Sequence, residues 1–149
     1  MRMKFAFPFA ILFLCARAQA DLPPDVYVEM QKKAGEFLKI EVLNSKKESV
    51  AKESSLTPFE LKSDTRVFGI RLSAKVLDVE RSKSSLKEGD VISIDYMRTE
   101  RPKEIGWVGP SEIPLLKKGD VSKAYLDKSS KSDSYTPAAR GRSFQTIDK

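Results

Sequence analysis

Carboxylates on neighbouring predicted strands are the residues in this sequence best suited to acid–base chemistry. Asp78 and Glu80 occupy alternate positions of one predicted strand, and Asp95 lies on the next strand. A glycosidase-type hydrolase uses one carboxyl group as the acid and a second as the base or nucleophile. These acids alternate with apolar residues, however, and that pattern is typical of the outer surface of a sheet. A hydrolase of unusual type, using carboxylates or lysine, is therefore the alternative hypothesis.

The composition excludes most other familiar active sites. The 149 residues include no histidine and a single cysteine, Cys15. A Ser-His-Asp triad, a Cys-His pair and a histidine-ligated zinc site are therefore impossible. The glycines are too scattered for a phosphate-binding loop, and no dense acidic loop predicts a calcium site. We expect a protein that is not an enzyme and has no metal site and no cofactor.

The loop that carries the only tryptophan is the strongest candidate for a binding site. Trp107 lies in a predicted loop over residues 99–119, which is rich in glycine and proline. Loops on rigid scaffolds often carry binding residues, and tryptophan is enriched at interfaces. The alternative is that Trp107 covers the open end of a barrel and fills the core. The predicted contact surface consists of Trp107 and three residues that precede it in the chain: Tyr96, Arg98 and Arg101.

The first twenty residues have the pattern of a secretory signal peptide. A short basic start precedes an apolar run over residues 5–16, and Ala18-Gln19-Ala20 fits the small-x-small cleavage pattern. The run is too short to span a bilayer, which takes about 20 residues. We therefore expect 1–20 to be a signal peptide cleaved after Ala20. The remaining residues, 21–149, form a single domain without an integral membrane anchor.

Removal of this segment changes the charge and the cysteine content. The segment contains Arg2, Lys4 and Arg17, so its loss lowers the formal net charge from +6 to +3. Cys15 is lost as well. An exported domain without disulfides is more typical of the bacterial cell envelope than of animal secretions, so we expect a periplasmic or secreted bacterial protein. The small excess of basic residues predicts no nucleic-acid partner.

Hydrophobic periodicity predicts a mostly β domain with one N-terminal helix. After Val76 the apolar face passes to Leu77 and Val79, and such a slip of one residue predicts a β-bulge. Residues 44–64 are either an extension of the first strand or a loop. One helix and five strands, one of them long and bulged, predict a five-stranded, partly open OB-like barrel, with a β-sandwich as the alternative. The predicted helix covers residues 24–34, and the predicted strands cover 37–43, 66–80, 91–97, 120–126 and 143–147.

Four stretches carry a resemblance to a known family. The run from Ala74 to Val79, followed by the run from Leu86 to Ile94, resembles the first hairpin of netrin-like (NTR-like) OB-fold modules. Residues 115–126 and 135–144 resemble later parts of that pattern, so the resemblance covers roughly residues 66–147. It implies the architecture of a small exported OB-fold domain. The related metalloproteinase inhibitors act through an N-terminal cysteine. The mature chain has no cysteine, so no functional residue carries over.

Together these observations favour a non-catalytic exported domain that binds its partner through a surface. The partner is either a protein or a polymer of the cell envelope or surface, such as a polysaccharide. The oligomeric state does not follow from the sequence.

Overall fold

The computed structural model describes residues 22–50, 64–102 and 112–147. The predicted signal peptide with its cleavage site at Ala20 lies outside the described residues, and so does Trp107. Within the described ranges, the chain forms one α-helix, six strands and a short 3₁₀ turn. These are α1 (Pro24–Lys33), β1 (Glu36–Ser49), β2 (Arg66–Ser82), β3 (Val91–Glu100), β4 (Val121–Lys128), β5 (Tyr135–Pro137), the 3₁₀ turn (Arg140–Arg142) and β6 (Phe144–Thr146).

Five of the strands close into a barrel in the order β1-β2-β3-β5-β4, with β4 returning to β1. The sixth strand, β6, pairs with β4 outside this ring. This confirms the prediction of a mostly β fold with one N-terminal helix and an OB-like five-stranded barrel. A single closed ring is not two packed sheets, so the β-sandwich alternative is wrong. The weakest join is between β3 and β5, which share one parallel pair, Ile94 with Tyr135.

The strand that completes the ring differs from the predicted one. Residues 143–147 do contain a strand, β6, but the ring is completed by Tyr135–Pro137. Sequence periodicity missed this segment because three residues are too short to show an alternating pattern, and one of them is a proline. Residues 44–64 are expected to extend the first strand or to form a loop. Residues 44–49 extend the strand, because β1 continues through Ser49.

The predicted bulge is present at the expected place. Where β1 pairs with β2, Ile40 lies opposite Val76 and Lys39 lies opposite Asp78, so Leu77 has no partner. Two further register shifts leave Glu80 and, on β1, Leu43 unpaired in the same ladder. Bulges bend a strand and increase its twist. They therefore allow the long β1–β2 hairpin to curve around the barrel.

The core lies inside the barrel and is built by alternate residues of the strands. Leu38, Ile40 and Val42 point inward from β1, and Ile92, Ile94 and Tyr96 do so from β3. A buried set of this kind supplies most of the free energy that favours folding. The remaining core residues of the cluster are Ile70, Leu72, Ala74, Val76, Leu116, Ala124, Leu126, Tyr135 and Phe144.

The same turn occurs twice, before β3 and before β4. In Lys87–Asp90, the Asp90 Oδ2 atom accepts a hydrogen bond of 2.8 Å from the Lys87 amide, and Lys117–Asp120 repeats this contact at 2.7 Å. The glycine of each turn has a positive φ, 91° at Gly89 and 89° at Gly119, which side chains rarely tolerate. The two aspartates therefore act as turn residues, which accounts for them without a metal.

Candidate functional site

Tyr96 belongs to the core rather than to an exposed contact surface. It points inward from β3, only 7% of its surface is exposed, and its ring centroid lies 6.0 Å from that of Phe144. Its hydroxyl group donates a hydrogen bond of 2.9 Å to the carbonyl oxygen of Pro114. The residue therefore anchors the chain segment that returns from the predicted Trp107 loop.

The two predicted arginines bind the same returning segment. Arg98 donates a 2.6 Å hydrogen bond from Nη1 to the carbonyl oxygen of Ile113, and Arg101 forms an ion pair with the carboxylate of Glu112. The structure thus brings Tyr96, Arg98 and Arg101 together, each of them holding one residue of 112–114. Contact of these residues and Trp107 with a partner stays a prediction, since Trp107 lies outside the described residues.

Burial of Tyr96 has a consequence at alkaline pH. Desolvation raises the pKa of its phenol above the ordinary value, and a hydrogen bond from the backbone of Leu116 and the charge of Arg98, which both favour the phenolate, oppose this only in part. The unfolded chain therefore releases this proton first, at about pH 10. The stabilising contribution is complete below that pH and is lost as the pH rises through the raised folded pKa. We expect Tyr96→Phe to flatten the fall in the free energy of unfolding above about pH 10, measured by urea denaturation. An unchanged slope would contradict this assignment.

The carboxylates singled out for hydrolysis are not gathered at one point. Asp95 lies opposite Arg71, whereas Asp78 lies toward the other end of β2, opposite Lys39. Asp78 accepts a 2.9 Å hydrogen bond from the Val79 amide, and both Asp78 and Glu80 are exposed. Nothing in this arrangement places two of these carboxylates on either side of a shared substrate bond.

Three cross-strand rows form a continuous surface on the outer side of β1, β2 and β3. The ladder registers align the strands so that side chains two residues apart share this side of the sheet. We call this surface the three-row face. Its rows are Asn44-Ser73-Ser93, Lys46-Arg71-Asp95 and Glu48-Gly69-Met97.

Small side chains make this face concave. One hollow of about 280 Å³ lies over Gly69 and Arg71, and a second of about 370 Å³ lies over Ser73 and Ser93. Both hollows are lined by Lys46 and Arg71, so they are neighbours along the strands. A Cβ atom on Gly69 would lie 3.5 Å from Cγ2 of Val50. The lack of a side chain at Gly69 therefore leaves the first hollow open beside Val50.

Two of the four charged side chains of the face, Lys46 and Glu48, form no ion pair with a described residue, whereas Arg71 and Asp95 pair with each other. Arg71 donates from Nε to Asp95 at 2.8 Å, and this hydrogen bond together with the carboxylate charge raises the pKa of Arg71 above its ordinary value. Lys46 lies directly opposite Arg71 and forms no ion pair with a described residue. Two like charges directly opposite each other on a sheet repel. The middle row therefore has one cation that is not neutralised.

A polar cluster lies at the end of the barrel where β1 begins. Glu36, the first residue of β1, is 1% exposed, and its Oε1 atom accepts hydrogen bonds from the Ser84 amide at 3.1 Å and hydroxyl at 2.9 Å. The Ser84 hydroxyl also lies 2.8 Å from that of Tyr135. The other carboxylate oxygen, Oε2, has no hydrogen-bond partner among the described residues. The cluster joins β1, the β2–β3 turn and β5.

Sequence reasoning missed both the three-row face and this cluster. The alternation of small and polar residues on β2 and β3 marks an outer surface, but the contribution of β1 depends on a register that begins within residues 44–64. Glu36 carries no local signal, because a glutamate at the start of a strand is usually solvated.

No protein-family model, curated protein or solved structure matches the chain. Within residues 22–50, 64–102 and 112–147, no helix has the length and hydropathy to cross a membrane. The same residues contain no group of three or more acidic side chains placed to hold a metal ion.

Proposed function

We propose that this protein is a non-catalytic, exported OB-type domain that binds a partner through the three-row face. The partner is a protein or a polymer of the cell envelope. The observation that carries the proposal is the continuous concave surface across β1, β2 and β3, with two adjoining hollows. In OB-folds, the face formed by strands 2 and 3 and the adjoining loops binds oligonucleotides and oligosaccharides, and this analogy supports the use of the same face for binding here.

Exposed apolar side chains at the border of the face support a binding role. Met97 is 51% exposed and Val91, three rows further along β3, is 61% exposed. Val50 is also exposed and lies beside Gly69. Three of the large apolar residues that the described chain exposes thus surround one concave surface, and clustering of this kind is typical of an interaction site.

The proposal includes export and the netrin-like resemblance. The signal-peptide pattern of residues 1–20 supports a periplasmic or secreted location, and the OB-like barrel is compatible with a netrin-like module. We propose no transfer of inhibitory chemistry from that family, because the proposed mature chain has no cysteine.

Site-specific photo-cross-linking tests the surface. A cross-linking amino acid at Met97 is expected to capture a partner in the envelope fraction of cells that express the protein, whereas one at Lys123, outside the face on β4, is not. Ser73→Arg places a bulky cation in the second hollow. It should therefore reduce the Met97 product at least about tenfold. Lys123→Ala should leave the product unchanged.

Equal capture from both positions would contradict the proposal, and so would a Met97 product that Ser73→Arg does not reduce. A melting curve of Ser73→Arg that matches the parent protein shows that the loss comes from the surface. If that variant unfolds, Ser93→Lys tests the same hollow from the neighbouring strand.

A further inference from the structure

We propose that the ligand of the three-row face is an extended polypeptide segment with an acidic side chain between two apolar ones. This inference depends on the proposed function, because it names the partner of the same surface. The two hollows of the face together form a trough along the strands, with Met97 at one end and Val91 at the other. Four observations on the described residues carry the inference: the length of this trough, the unpaired charge of Lys46, the exposed apolar side chains at its two ends, and the absence of aromatic side chains from the nine positions of the face.

The length of the trough fits a short extended peptide. Met97, Asp95, Ser93 and Val91 mark successive outward positions along β3. Each interval of two residues in an antiparallel strand covers about 6.8 Å, so the distance from Met97 to Val91 is about 20 Å and matches about seven extended residues. Alternate side chains of such a peptide then lie over successive positions of the trough.

The charges specify what the peptide presents at the middle row. Lys46 faces the guanidinium of Arg71, whose partner is Asp95. A carboxylate placed between Lys46 and Arg71 neutralises the unpaired cation and relieves the repulsion between the two cations. An ammonium group at the same position adds a third positive charge. The face therefore discriminates between acidic and basic side chains at this one position.

The two ends of the trough specify apolar side chains. Met97 and Val91 are exposed to 51% and 61% and lie on either side of the charged row. Covering them with apolar side chains removes that surface from water, at about 25 cal/mol per Å². The row of Asn44, Ser73 and Ser93 lies between the charged row and Val91, and it suits a small polar side chain. From the residue over Met97 to the residue over Val91, the expected peptide therefore has the pattern apolar, any, acidic, any, small polar, any, apolar.

A polypeptide fits this chemistry better than a polysaccharide or a nucleic acid. Single-stranded nucleic acids stack their bases on aromatic side chains, and none of the nine positions of the face is aromatic. A polysaccharide presents chiefly hydroxyl groups and has no large apolar side chain to cover Met97 and Val91. Methionine and arginine, by contrast, are enriched at protein–protein interfaces.

A designed peptide pair tests the inference. The probe is a blocked seven-residue peptide with leucine at both ends, glutamate at the third position and serine elsewhere, and its counterpart has lysine in place of glutamate. We expect the glutamate peptide to shift backbone amide NMR signals of β2 and β3 along the face, and to bind about tenfold more tightly than the lysine peptide. Lys46→Glu should reverse this preference. Lys39→Glu, on the same strand but outside the face, should preserve it.

Equal binding of the two peptides, signal changes outside the face, or no reversal in Lys46→Glu would overturn the inference. Mass spectrometry of the digested Met97 cross-linked product tests this inference separately from the proposed function. A foreign peptide attached to the fragment that contains position 97 supports a polypeptide partner. A sugar or other non-peptide polymer attached to that fragment shows that the face binds a polymer, so that this inference fails while the proposed function stands. Absence of any Met97 product overturns both.

Discussion

Replacing Ile94 by alanine is expected to lower the free energy of unfolding by about 2–5 kcal/mol. The side chain is fully buried in the barrel, and its residue forms the single pair that joins β3 to β5. Truncation removes apolar burial and leaves a cavity that the surrounding strands fill only in part. No further backbone pairing between β3 and β5 offsets this loss, because Ile94 and Tyr135 are the only residues that pair between these two strands. Urea denaturation followed by circular dichroism measures the change.

Val91→Ala on the same strand is the matched control. Val91 is mostly exposed, so its truncation should change the free energy of unfolding by no more than about 0.5 kcal/mol. Similar losses in the two variants would show that Ile94 is not in the core. Hydrogen exchange adds a second readout: in Ile94→Ala, the amides of β5 should exchange faster than those of the β1–β2 ladder.

Replacing Ser84 by alanine is expected to destabilise the protein by about 1–3 kcal/mol. We expect a value near the upper limit, because the substitution removes a hydrogen-bond donor from a buried carboxylate. The Ser84 hydroxyl contacts both Glu36 and Tyr135. Without it, a buried carboxylate keeps a single hydrogen bond, from the Ser84 amide. Glu36, which is 1% exposed, then has one hydrogen bond fewer, and this cost falls on the folded state alone.

A double-mutant cycle distinguishes this network from general damage. Tyr135→Phe removes the phenolic partner, and the double variant with Ser84→Ala should lose less stability than the sum of the single variants, since both remove the same contact. Ser130→Ala, at an exposed position in the β4–β5 loop, should be nearly neutral. Full additivity of Ser84→Ala and Tyr135→Phe would show that the two hydroxyl groups do not interact.

The elements that sequence reasoning predicted are those with enough residues to show a period. The run from Phe68 to Val76 alternates over several residues, and the shift at Leu77 appears in the sequence because long apolar patterns surround it. Tyr135–Pro137 is too short to carry such a signal. Its place in the ring is set by partners on β3 and β4 that are distant along the chain.

The candidate sites show the same division between local and distant information. Arg98 and Arg101 were selected because they lie next to the Trp107 loop, and the structure does place them against its returning end. The three-row face required the pairing of Lys46 with Arg71 and of Arg71 with Asp95. Neither pairing follows from one strand alone, because register is a relation between strands and is fixed partly by bulges.

The outer part of β1 bears on how the protein avoids aggregation. Beyond Val42, β1 pairs with β2, while its pairing with β4 ends at Glu41, so within the described residues this part is a sheet edge. Unprotected edges recruit strands from other molecules and start intermolecular sheets. The bulge at Leu43 distorts the edge where it begins, and Lys46 and Lys47 place charge along it. The same segment that supplies one wall of the proposed peptide trough is thus built to discourage a second copy of the chain from extending the sheet.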